Sequence, residues 1–175
     1  MSTLLLLFAL ASLQQPTSAA ARAHQAREAA LDSSKAAVTQ VADKVADVRS
    51  ALDVYRRAVF NGTDADVVSM ASYLGTACHG VDSTAVRAAR MVCRRCAFQA
   101  KLQAAFDDYR AGLPALGRAG AQCASRIVRL ARGAQPAKGL RRDVRVIGNP
   151  LVEALRSYER RLHVVLVNLN AVPPT

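Results

Sequence analysis

The sequence predicts an all-α protein: an antiparallel bundle of four to five amphipathic helices with a long first helix, cross-linked by disulfides. Three observations predict it. Apolar residues recur over long stretches at alternating steps of three and four, the period of a helix with one buried face. Only the segment VVLVNLN near the end has strand propensity, and nothing elsewhere offers it a convincing partner. Four cysteines, an even number, follow a leader-like opening, the pattern of an exported chain held by two bridges.

That opening is Leu4 to Leu13, LLLLFALASL, followed by QQPTSAAA with small residues where a signal peptidase reads. The run is half the roughly 20 apolar residues that a membrane-spanning helix needs. We therefore expect residues 1–20 to be a cleaved signal peptide and residues 21–175 to form one secreted helical domain with no transmembrane segment. What remains, about 155 residues, is enough for one sizeable core. Asn61-Gly62-Thr63 is a glycosylation sequon in keeping with export.

The first helix carries Leu31, Val38, Val45, Leu52 and Val59 every seven residues, with Val41, Val48 and Tyr55 between them. Asn61-Gly62 is its natural stop. Thr63 and Asp66 read as a capping pair that opens a shorter helix to about Ala77, with Val67, Met70 and Leu74 inward. Cys78 to Asp82 reads as a connection, with Asp82 or Ser83 capping a third helix to about Ala111. Val86, Val92, Cys96, Leu102, Phe106 and Tyr109 form its expected buried side. Gly112, Pro114, Gly117 and Gly120 read as breakers, and a fourth helix runs from about Arg118 to Arg132. GAQPAKG is a linker, and Leu140 to Ile147 is either a short helix or an extended piece. Asn149-Pro150 opens a fifth helix through Leu151, Leu155, Tyr158, Leu162, Val165 and Leu169. With no Trp and few aromatic residues, the core rests on Val, Leu and Ala.

Cys78, Cys93, Cys96 and Cys123 admit three readings. Cys93-Arg94-Arg95-Cys96 is a C-x-x-C, but it lacks the strand-then-helix setting of a thiol oxidoreductase. Cys78, His79, Cys93 and Cys96 are ligand types for zinc, though without the two short-spaced knuckles of a structural site. The expected reading is two disulfides. On a helix Cys93 and Cys96 point to one side, and joining them would strain it. Chain proximity then favours Cys78 with Cys93 and Cys96 with Cys123, the swapped pairing being the alternative.

His24, His79 and His163 are scattered, and Asp107 and Asp108 diverge on a helix. No G-x-S-x-G, H-E-x-x-H or P-loop pattern occurs. We expect no enzyme, no metal and no cofactor.

The net charge of +11 is uneven. Residues 22–82 hold seven basic and eight acidic side chains, whereas residues 83–145 hold fourteen and three. Arginine outnumbers lysine twenty to four, which suits forked recognition of sulfate, phosphate or carboxylate, although a GC-rich genome produces the same excess. Arg87, Arg90 and Arg94 make a stripe on one helix face, and Arg118, Arg126, Arg129, Arg132, Lys138, Arg141, Arg142 and Arg145 follow. Arg87, Arg90, Arg94, Arg126, Arg129, Arg132, Arg141 and Arg142 are the expected anion-binding residues, a solvated face without a partner being the competing reading. Outside a cell the polyanions to consider are an acidic protein, a sulfated glycan or an anionic surface, rather than nucleic acid.

A signal peptide, a long heptad-patterned first helix, a glycosylatable turn and the segments YLGTACHG and MVCRRCAF together resemble, in layout from Ala30 to about Leu130, the secreted insect proteins of the TsetseEP-domain family. The resemblance implies an extracellular gut, haemolymph or salivary protein without catalytic activity, and it carries over no functional residue. The expected function is a secreted binding protein whose basic surface engages an acidic partner. A cytokine-like receptor ligand and an extracellular carrier of a small apolar molecule are the alternatives.

Overall fold

The computed structural model describes residues 19–96 and 98–171. They form α1 (Ala19–Asn61), α2 (Asp64–Met91), α3 (Ala100–Ala131), a short α4 (Pro136–Arg142) and α5 (Val144–Asn170). The expected all-α, disulfide-cross-linked bundle with a long first helix is what these residues build. The expected signal peptide, residues 1–20, lies outside the described residues except for Ala19 and Ala20, which are the first residues of α1.

Helix α1 follows its seam as expected. Val38, Val41, Val45, Val48, Leu52, Tyr55 and Val59 are buried, and Leu31 is half-buried. Beyond Leu31 towards Ala19, the side chains are mostly exposed. The turn at Asn61-Gly62 forms where expected, and Thr63 caps α2. Its hydroxyl accepts from the Asp66 amide at 3.2 Å, and the Asp66 carboxylate accepts from the Thr63 amide at 2.8 Å. The Thr63 hydroxyl also donates to the Asp66 carboxylate at 2.7 Å, and this bond, then the one from the Thr63 amide, holds the Asp66 carboxyl below its ordinary range.

The middle of the chain departs from expectation in three places. Helix α2 does not stop at Cys78 but runs on to Met91, and α3 runs unbroken through Gly112, Pro114, Gly117 and Gly120. The break falls instead at residues 92–99, inside the stretch whose spacing predicts a third helix. The seams explain why. Buried Val67, Ala71, Leu74, Cys78, Val81, Ala85, Ala88 and Val92 keep alternating steps of four and three. Leu102, Phe106, Tyr109, Leu113, Leu116, Gly120, Cys123 and Ile127 do the same. A seam continues through Cys, Ala and Gly wherever the partner helix comes close enough to cover them. Val86 falls off this seam and is exposed, contrary to its expected burial.

The second departure is that α5 starts at Val144, so Asn149-Pro150 lies within it rather than at its opening. Pro150 is exposed in the second turn of the helix, where its missing amide leaves out one bond of the ladder. VVLVNLN belongs to the same helix. Leu140, in the segment left open between helix and extended chain, is a buried residue of α4.

The third departure is the cysteine pairing. Cys78 pairs with Cys123 and Cys93 with Cys96, each at disulfide distance, with Cα separations of 6.1 and 5.9 Å. A bridge between Cys93 and Cys96 would strain a helix, but both residues sit in the connection, after α2 has ended. Cys78 faces Cys123 because α2 and α3 lie side by side. Closing a loop with a sequence separation of 45 is worth about 4 kcal/mol in the chain-entropy model.

Where the two helices touch, small residues let them approach. A Cβ at position 120 would stand 2.6 Å from the Cys78 carbonyl oxygen and 2.7 Å from Val81 Cγ1. Gly117 faces Asp82 and Ala85, and Gly75 faces Ile127. Helix α1 packs on α2 and α5 packs on α3, so each long helix lies beside its neighbour in sequence, with α4 across one end. Short links between such neighbours make them antiparallel.

Side-chain bonds tie the connections to this frame. Ser34 Oγ, fully buried, donates to the Ala30 carbonyl and accepts from the Cys93 amide at 3.1 Å. Tyr55 Oη donates to the Leu140 carbonyl at 2.7 Å, joining α1 to α4. Tyr109 and Tyr158, buried between α3 and α5, meet with ring centroids 5.6 Å apart.

Gly120→Ala is expected to destabilise the fold by about 2–3 kcal/mol, because the new methyl group meets backbone that cannot step aside. Urea denaturation followed by circular dichroism measures this, and an unchanged midpoint would show that the helices are not held this close. Ser34→Ala is expected to cost about 1–2 kcal/mol in the same assay, since it leaves the Cys93 amide without its partner.

Candidate anion-binding surface

The antiparallel register of α2 and α3 decides where the expected arginines lie. Gly75 opposes Ile127, Cys78 bonds Cys123, and Gly117 meets Asp82 and Ala85. Arg87 and Arg90 therefore lie beside the middle of α3, near Leu113. Arg129 and Arg132 lie at its far end, about 27 Å away at 1.5 Å per residue. The basic stretch is thus divided into two regions rather than one patch. Arg94 is not on the helical stripe with Arg87 and Arg90, because α2 has already ended.

The eight arginines also differ in what they do. Arg87, Arg90, Arg94, Arg129 and Arg132 are exposed, and among the described residues their guanidinium groups make no hydrogen bond or ion pair. Arg126, Arg141 and Arg142 are engaged within the fold. Arg141 donates to the Val59 carbonyl and, at 2.8 Å, to the Gly62 carbonyl, and it reaches Asp64 at 3.2 Å. It satisfies carbonyls at the end of α1, where a cation is favoured by the helix dipole. Sequence reasoning missed this role, since no local pattern joins residues 82 apart.

Arg126 and Arg142 share one carboxylate. Arg126 Nη2 lies 2.6 Å from Asp143 Oδ2, and Arg142 Nε lies 2.9 Å from Oδ1. Asp143 is nearly buried, and its bonds to Arg142 and then Arg126 hold its carboxyl below the usual range. The other two acids of residues 83–145 are paired as well, Asp107 with Arg110 at 3.0 Å and Asp108 with Arg161 at 3.3 Å. Every acid in the basic segment therefore already has an arginine, and the exposed arginines have none to neutralise them.

Beside Asp143, Arg126 and Arg129 edge a groove of about 300 Å³ between α3 and α5, with Val146, Ile147 and Pro150 on its other wall. A second groove of about 200 Å³, between α1 and α5, brings together Arg49, Arg56 and Arg156 over Leu52, Val152 and Leu155. Arg49 is ion-paired with Glu159. This cluster was not legible in the sequence, because its members are spread over a balanced segment and the chain's last helix.

Asn61 is exposed as the last residue of α1. His24 lies beside Glu28, while His79 and His163 are exposed and apart. Cys78 is bonded to Cys123 rather than placed with His79, Cys93 and Cys96, and among the described residues no cluster of three or more metal-ligating side chains forms. No described helix is long and apolar enough to cross a membrane. No protein-family model matches the chain, and no curated protein or solved structure is significantly similar to it.

Asp143→Asn separates the structural from the binding role of these arginines. The Asp143 carboxyl titrates lower in the folded protein than in the unfolded chain. Its stabilisation is therefore complete above the unfolded value of about pH 4 and is lost as pH falls through the folded one. The variant is expected to lose stability at pH 7 and to show a smaller further loss on acidification. Because it also releases Arg126 and Arg142, it should be retained more strongly on a sulfated-glycan column. Parallel urea melts at pH 7 and pH 3 and salt elution at pH 7 check both.

Proposed function

We propose that the chain is a secreted, non-enzymatic helical binding protein whose exposed arginines engage an extended acidic partner outside the cell: an acidic protein, a sulfated glycan or an anionic surface. The observation that carries this reading is that the three acids of the basic segment are each paired with arginine, which leaves Arg87, Arg90, Arg94, Arg129 and Arg132 uncompensated at both ends of the contact between α2 and α3. Fixed positive charge separated in this way attracts a polymer or a broad surface that can touch both regions and release counterions from each. A small anion gains from only one region at a time.

Export through a cleaved leader, glycosylation at Asn61 and kinship with the TsetseEP-like secreted proteins belong to the same proposal. The paired cysteines and the exposed Asn61 are compatible with it. Short links between successive long helices do not favour the cytokine-like alternative, whose bundles use long crossovers.

The test is salt elution from immobilised heparin as a model sulfated glycan, with the full chain secreted from a eukaryotic host. Retention should fall steeply with salt. Replacing Arg87, Arg90, Arg129 and Arg132 by Ser should flatten the log–log salt dependence by about one unit per lost contact, with the helical signal unchanged. Equal retention of wild type and variant would remove the basis of the reading.

A further inference from the structure

The two cysteine pairs are built differently. Cys78 and Cys123 lie between packed helices and are almost wholly buried, at 0% and 3% exposure. Cys93 and Cys96 are both partly exposed and lie in the connection between α2 and α3, with a sequence separation of three. Arg94 and Arg95, the residues between them, are exposed, and their guanidinium groups have no carboxylate partner among the described residues. The nearby Asp107 is paired with Arg110.

The connection is also anchored without its bridge. The Cys93 amide donates to Ser34 Oγ on α1, and the Cys93 carbonyl accepts from Gln103 Nε2 and Arg110 Nη1 on α3, each at 3.4 Å. Phe98, just beyond, packs on Phe106 with ring centroids 5.7 Å apart. A bridge across so few residues restricts the unfolded chain much less than the one from Cys78 to Cys123, so opening it leaves the bundle folded.

We propose that Cys93–Cys96 is a thiol–disulfide exchange site, which takes two electrons from low-molecular-weight thiols of the glutathione class while Cys78–Cys123 stays closed. An external thiolate attacks one sulfur, a new sulfur–sulfur bond forms, the Cys93–Cys96 bond breaks and the other cysteine leaves as a thiolate. A second external thiolate attacks the mixed disulfide and releases the oxidised small molecule. The two cysteines keep the two electrons and take up the two protons that the external thiols gave up. Arg94 and Arg95 assist by favouring the thiolate that leaves. The anchored main chain keeps the two thiols close for re-oxidation.

The test treats the folded, oxidised chain with reduced glutathione, alkylates at intervals and maps the labels by mass spectrometry, with circular dichroism recorded in parallel. The expected result is two labels on the peptide holding Cys93 and Cys96, appearing about tenfold or more faster than any on Cys78 or Cys123, at constant helicity. Cys93→Ser, treated instead with oxidised glutathione, should hold one glutathione on Cys96 and release one reduced glutathione, and Arg94→Ser with Arg95→Ser should slow opening of the paired cysteines by reduced glutathione several-fold at fixed pH. Labelling of all four cysteines together with loss of helix, or no labelling without denaturant, would overturn the proposal. Either result would leave the basic-surface reading untouched.

Discussion

The close approach of α2 and α3 is the constraint on which the rest of the bundle depends. At Gly120 the two helices are near enough that a single methyl group would run into the Cys78 carbonyl, and one turn further the chain is bonded across from Cys78 to Cys123. Helix α1 packs on one member of this pair and α5 on the other. Loosening the centre would therefore misplace both outer helices at once. The residues at the contact are small, and their contribution lies less in area buried than in letting the backbones and the flanking Val and Leu side chains meet without voids.

Polar bonds hold the two ends of the bundle. At one end Ser34, Gln103 and Arg110 gather around Cys93, so the connection between α2 and α3 is tied to helices on both sides. At the other end α4 crosses the turn between α1 and α2, where Tyr55 reaches the Leu140 carbonyl and Arg141 satisfies the last carbonyls of α1. Burial pushes the Tyr55 hydroxyl up to about 12, so it remains a neutral donor at any physiological pH. These contacts select the path of the chain between helices, a choice that apolar seams leave open because any covered seam satisfies them.

The charge pattern has a structural share and a surplus. Arg110, Arg126, Arg141, Arg142 and Arg161 serve the fold through carboxylates or main-chain carbonyls. The arginines left over face solvent in two regions set apart by the helix register. Among the described residues these arginines form no ion pair, so they add nothing to the fold by that route, and their charge is what the proposed binding rests on. The same excess continues through Arg94 and Arg95 beside the partly exposed cysteine pair, where the proposed exchange adds a role in favouring the leaving thiolate.

The sequence by itself determined the helical class, the seam of α1 from Leu31 to Val59, the stop at Asn61-Gly62 and the Thr63–Asp66 cap. Each is written in local spacing or in a side chain bonding its own backbone. It also located most of the core, because Val and Leu at steps of three and four name their own buried face. The tertiary structure decided what depends on a neighbour. Gly120 reads as a breaker until a second helix covers it, and Cys78 reads as part of a turn until Cys123 stands opposite. Cys93 and Cys96 could not be paired until the helix was seen to end before them, and Arg141 looked like free charge until the end of α1 came within reach. A small or charged residue takes its role from what touches it, and only the folded chain supplies that contact.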